Sequence, residues 1–189
     1  MKRIGILGDI GSGKSYVANS FGHPVFNADQ EVGKIYKKNK KVFLKLKKIL
    51  PKYIYSYPVN KQEITNAILS KKNNLKKIVK IVHFEVRKKM NLFLRKNKNK
   101  KFVILDIPLL LENKLDKKSD ILIFIDANKD NILKKLKKRK NFNLKLFYKF
   151  KKIQLPLTYK KQKSDFIIKN NFSKKGIKKD INKILNKIL

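Results

Sequence analysis

The chain has 189 residues, with 50 Lys plus Arg against 13 Asp plus Glu, a formal net charge of +37 and no cysteine. This length holds one domain of ordinary size with a self-sufficient core, and the missing thiols exclude disulfides, thiolate zinc sites and cysteine nucleophiles. Only Arg3, Arg87, Arg95 and Arg139 are arginine, and the lysines are spread beside abundant Asn and Ile; a nucleic-acid surface prefers Arg and concentrates its charge, so no specific nucleic-acid partner is read from it. No apolar run approaches membrane-spanning length and a strand begins by the third residue, which predicts a soluble, cytoplasmic protein with no membrane contact.

The first predicted element is a buried strand at residues 4–7. Residues 8–15 follow as G-D-I-G-S-G-K-S, and a helical pattern opens at Tyr16. This is a P-loop in its proper setting. Gly8, Gly11 and Gly13 let successive backbone N–H groups turn toward an anion, with a helix start behind them. Lys14 is placed to reach β- and γ-phosphate oxygens, and the Ser15 hydroxyl to ligate Mg²⁺. A nucleoside triphosphate, ATP with Mg²⁺ in a kinase, is therefore the expected ligand. A second strand, 25–27, leads into Ala28 and Asp29. Asp29 is a candidate to orient an acceptor hydroxyl and take its proton; it can equally be a helix N-cap before Gln30.

An insertion with helical periodicity comes next. Ile35, Tyr36, Phe43, Leu46, Ile49 and Leu50 form one apolar face, and Leu75, Ile78, Val79, Val82, Val86 and Phe93 another. Pro51 and the stretch to Pro58 separate them. Continuous apolar runs at 102–106, 121–126 and 166–169 complete a set of five buried parallel strands with crossover helices, an α/β sheet whose functional residues gather at the strands' carboxyl ends. Asn113-Lys114-Leu115-Asp116 has the spacing of a guanine-reading motif but does not follow a strand directly, so it is not read as one. After 121–126, Asn128 or Asp130 caps a helix carrying Ile132, Leu133 and Leu136 into Lys137-Lys138-Arg139-Lys140, a basic segment suited to a lid. Ile177, Ile181, Ile184, Leu185 and Ile188 predict a last helix packed on the sheet.

The motifs together resemble the dephospho-coenzyme A kinase family over nearly the whole chain. Residues 8–15 resemble its G-G-I-G-S-G-K-S, and Asn27-Ala28-Asp29 its D-A-D. His83-Phe84 resembles an H-P pair that opens a helix. Residues 107–113 resemble its P-L-L-x-E run, and Gln154-Leu155-Pro156 with Lys160, Asp165 and Asn170 its closing Q-x-P…K…D…N pattern. The resemblance implies ATP-dependent phosphorylation of the 3′-hydroxyl of dephospho-coenzyme A by a cytoplasmic, monomeric enzyme. It implies a three-layer P-loop NTPase fold: a nucleotide core (1–30, 101–127, 155–189), a helical acceptor domain (31–100) and a lid (128–154). Position by position it assigns catalysis to Asp29, Lys14 and Arg139. It assigns ATP to Gly8, Asp9, Ile10, Gly11, Ser12, Gly13, Lys14, Ser15 and Tyr16, magnesium to Ser15, and the acceptor to Asp29, His83 and Leu110. The chain departs from the family pattern at Asp9, where Gly is usual, at Asn27 for Asp, Phe84 for Pro, Lys61 for Arg, and Phe172 for Gly. The readings it competes with are a nucleoside or nucleotide kinase and a basic P-loop ATPase that binds nucleic acid.

Overall fold

The computed structural model describes residues 1–71, 73–138 and 142–189. It divides into two compact units, one of Met1–Asn27 with Asn97–Leu189 and the other of Ala28–Lys96.

In the first unit the apolar runs become a five-stranded parallel sheet of order β2-β3-β1-β4-β5. The strands are β1 (Lys2–Gly8), β2 (Val25–Asn27), β3 (Phe102–Asp106), β4 (Ile121–Asp126) and β5 (Phe166–Lys169). β1 lies between β3 and β4, with Ile4 opposite both Ile104 and Ile121. Its residues from Arg3 to Gly8 are buried throughout, as a central parallel strand covered on both faces must be. One face carries Ile4, Ile6, Ile104, Ile123, Ile125 and Ile168 against Val17 and Phe21 from the α1 (Lys14–Ser20) side and Ile177, Ile181 and Ile184 of α9 (Lys174–Ile188). This bears out the apolar stripe read for the last helix. On the other side Gly5 permits a close approach: a Cβ there would lie 2.6 Å from Leu110 Cδ2 and 2.9 Å from Leu122 Cδ2.

The second unit is helical: α2 (Ala28–Lys38), α3 (Lys40–Ile49), α4 (Lys61–Ser70) and α5 (Asn74–Lys96). Asn39 separates the first two by capping α3, its side chain accepting from Val42 N at 3.0 Å, and Asn60 caps α4 in the same way. Leu75, Ile78, Val82, Val86 and Met90 are the buried stripe of α5. That helix corrects one expectation. No helix opens at His83; the residue stands inside a continuous helix of 23 residues. Phe84, unlike a proline, brings a backbone N–H and no ring clash with the preceding turn, so nothing interrupts the helix there.

Three shorter helices return to the first unit: α6 (Lys129–Lys137), α7 (Leu144–Lys151) and α8 (Leu157–Gln162). Asn128, not Asp130, caps α6, its side chain accepting from Asp130 N and Asn131 N. Among the described residues, no helix is long and apolar enough to cross a membrane.

Candidate active site

The loop between β1 and α1 has the backbone that its glycines foretold. Gly8, Gly11 and Gly13 have φ of 145°, 84° and 91°, values an L side chain adopts only with strain. Space demands glycine as well. A Cβ on Gly11 would lie 2.9 Å from Leu136 Cγ, one on Gly8 2.8 Å from both Ile125 O and Ser12 Oγ, and one on Gly13 would overlap Asn170 Nδ2. Lys14 is buried, and its ammonium curls into the loop, donating to Asp9 O at 2.8 Å and Gly8 O at 3.3 Å. Ser12 Oγ is fully buried with no hydrogen-bond partner among the described residues. A buried ammonium, an orphaned hydroxyl and a Cβ-free cradle fit a bound polyphosphate.

At the end of β3, beside β1, the structure adds a group that the sequence reading had not singled out. Asp106 is 2% exposed. Asn27 Nδ2 donates to its Oδ2 at 2.6 Å, and the Ser15 hydroxyl and the Lys14 charge favour its ionised form. Burial pushes its carboxyl pKa above the ordinary range, more than Ser15, Lys14 and Asn27 pull it down. A hard cation takes oxygen ligands of this kind, so Ser15 and Asp106 suit the Mg²⁺ that accompanies ATP. The available signal was a buried strand ending in a lone carboxylate. No second cue set it apart from the other strand ends.

Most of the remaining motif residues prove to be braces around this loop. Asn170, 3% exposed at the end of β5, donates from Nδ2 to Ser12 O at 2.8 Å and accepts Phe172 N at 2.7 Å, while its own N–H donates to Asp126 O at 2.7 Å. Phe172 has φ 65°, and its ring has the Lys135 ammonium 4.0 Å from its centroid. Glu112 and Lys160 form a buried ion pair at 2.6 Å, and Glu112 also accepts Leu155 N at 2.9 Å. Asp165 exchanges two hydrogen bonds with the Leu122 backbone, each 2.8 Å.

The Leu110 side chain is fully buried and packs over Gly5. Asp9 is buried with both oxygens engaged, Oδ1 by Ile10 N at 2.8 Å and Oδ2 by the Lys151 ammonium at 2.7 Å. Tyr16 is exposed at the start of α1. In the second unit α2 begins at Ala28, so Asp29 lies inside its first turn and not at the capping position. His83 is half-buried on α5. Arg139 lies outside the described residues.

Residues 2–175 match the family described as Dephospho-CoA kinase. The dephospho-CoA kinase of Wolbachia sp. subsp. Brugia malayi is 32% identical over 190 residues, which span 98% of this chain and 97% of that protein. That of Bartonella henselae is 32% identical over 173 residues, 89% of this chain and 88% of that one. Among solved structures, one from Thermus thermophilus superposes with a TM-score of 0.78 at 23% identity, covering 100% of this chain and 97% of that one. Dephospho-CoA kinase from Campylobacter jejuni gives 0.64 at 23% identity, covering 99% and 97%. Shikimate kinase from Acinetobacter baumannii gives 0.55 at 14% identity, covering 100% and 93%. At such identities the likeness shows the shared α/β P-loop kinase fold.

Proposed function

We propose that this chain, which belongs to the dephospho-CoA kinase family, transfers the γ-phosphoryl group of ATP to the ribose 3′-hydroxyl of dephospho-coenzyme A. The observation that carries the reading is the P-loop cradle itself. Its buried Lys14 and orphaned Ser12 hydroxyl stand beside the Ser15–Asp106 pair, within a chain that matches the family along nearly its full length. Ser15 and Asp106 would hold the magnesium, which would supply positive charge to offset the charge spreading over the transferring group.

The protein's own groups do the rest. Backbone amides of residues 10–15 bind the phosphates. The Lys14 ammonium exchanges its carbonyl partners for phosphate oxygens, and Asp106, with Asn27 holding its carboxylate, fixes the Ser15 side of the metal site. Asp29, two residues beyond the end of β2, orients the acceptor hydroxyl and takes its proton. His83 on α5 contributes to acceptor binding, and Arg139 adds a paired donor for the equatorial phosphoryl oxygens. In this reading residues 31–100 form the acceptor domain, 128–154 the lid, and 1–30, 101–127 and 155–189 the nucleotide core of a cytoplasmic monomer.

The test is product analysis. Mg·ATP and dephospho-coenzyme A should give coenzyme A phosphorylated at the 3′ position together with one ADP per turnover. ADP formation that does not depend on the acceptor would contradict the proposal.

A further inference from the structure

Asp9 is an unexpected residue for a loop that binds a triphosphate. Its carboxylate is buried beside the cradle, where an unpaired negative charge repels phosphate through surroundings that screen poorly. The structure gives that charge a specific answer. One oxygen accepts the Ile10 amide at 2.8 Å. The other accepts the ammonium of Lys151, 142 residues away on α7, at 2.7 Å. The Asp9 side chain is 8% exposed and that of Lys151 is 41%, so the lysine reaches in from the surface to a carboxylate that cannot reach out. Asp9 also lines a cleft of about 160 Å³ with Asp126, Lys129, Thr158 and Lys161. The other acid of that cleft has its own cation, since Asp126 pairs with Lys161 at 2.8 Å. α7 has no fully buried side chain, its Leu146, Phe147 and Phe150 being half-buried, and the ion pair at its last residue ties it to the phosphate-binding loop.

We infer that Lys151 is a positioning residue whose ammonium neutralises Asp9 and thereby keeps the loop receptive to ATP, while the same pair holds α7 beside the loop. The inference rests on the reading of residues 8–15 as the ATP site. It makes an asymmetric prediction. Removing the lysine leaves a lone carboxylate beside the phosphates, whereas removing both charges leaves none.

The experiment is a double-mutant cycle on the full chain, with Mg·ATP dissociation constants from calorimetry and steady-state KM and kcat. A unit charge about 8 Å away at an effective dielectric near 20 is worth roughly ten- to thirtyfold in binding. Lys151→Met should weaken Mg·ATP by that factor and raise the KM for ATP more than it lowers kcat. Lys151→Arg should stay within about threefold of the unsubstituted protein, because the charge is kept. In Asp9→Asn the amide oxygen can still accept Ile10 N–H, and the double variant, which like the unsubstituted protein carries no net charge at this pair, should bind Mg·ATP within about threefold of it, restoring what Lys151→Met alone loses. A double variant as weak as Lys151→Met alone would show that the Asp9 charge is not what Lys151 offsets, and no loss in Lys151→Met would show that it does not act at all; each overturns the inference. Absence of Mg·ATP binding by the unsubstituted protein would overturn the functional reading and this inference together. Thermal unfolding without nucleotide, run on the same five proteins, separates loss of fold from loss of affinity.

Discussion

Replacing Phe172 by alanine and, separately, by glycine measures the strain held next to the phosphate-binding loop. Phe172 has φ 65°, and the bond from its N–H to Asn170 Oδ1 at 2.7 Å belongs to the turn that keeps it there. An L-residue in this region costs about 1–2 kcal/mol. Glycine avoids that cost but gives up about 0.5–1 kcal/mol to unfolded-chain entropy. The glycine variant should therefore exceed the alanine variant by about 0.5–1 kcal/mol, the reverse of their order at an ordinary site. At about 2–4 °C per kcal/mol for a chain of this size, the gap is roughly 1–4 °C in Tm. Both variants lose the Lys135 ammonium lying 4.0 Å from the ring centroid, a contact worth about 0.5–1 kcal/mol, so alanine should fall below the unsubstituted protein. Differential scanning calorimetry without nucleotide reads all three. An alanine variant as stable as the glycine variant would refute the reasoning.

Asp29→Asn should slow single-turnover transfer by roughly 10²–10⁴-fold while leaving Mg·ATP affinity nearly intact, because proton transfer from the acceptor is what it would remove; a rate within a few-fold of the unsubstituted protein would take Asp29 out of the mechanism. Burial raises the Asp106 carboxyl pKa on folding, so the folded state binds more proton than the unfolded one, and nucleotide-free stability should fall as pH rises from the ordinary carboxylate range through the raised value. Asp106→Asn should flatten that part of a Tm-against-pH curve and lower transfer by roughly 10²-fold or more, since assistance from a bound metal is worth several kcal/mol; parallel curves would contradict the assignment. Lys160→Met leaves Glu112 buried without its 2.6 Å partner and should cost about 3–5 kcal/mol in urea unfolding, with Glu112→Gln in the same chain recovering part of the loss.

β3, β4 and β5 were legible to the residue because continuous apolar runs bounded by turns have few other interpretations. The P-loop was legible because its glycines answer a backbone requirement that sequence states directly. The extent of α5 was legible in its apolar stripe from Leu75 to Phe93, whereas a family resemblance at His83 suggested a helix start that only a proline would have supplied. The packing of Leu110 was not legible, because the Gly5 opposite it, which lets it pack onto β1, can be paired with it only in three dimensions. Asp106 and the partner of Asp9 were hidden for a related reason. Asp106 draws on Ser15 at the start of α1 and Asn27 at the end of β2, and Lys151 is one lysine among dozens until the fold brings it to the loop.

The measurement that tests the central claim most directly is a coupled ADP assay of kcat/KM across dephospho-coenzyme A, AMP, adenosine and pantetheine 4′-phosphate under one set of conditions. A family member that phosphorylates the ribose 3′-hydroxyl of dephospho-coenzyme A should turn that acceptor over at least about a hundredfold more efficiently than the others, a difference of about 2.7 kcal/mol in transition-state binding. Equal or better turnover of AMP or adenosine would contradict the account and make the chain a nucleotide or nucleoside kinase on the same fold.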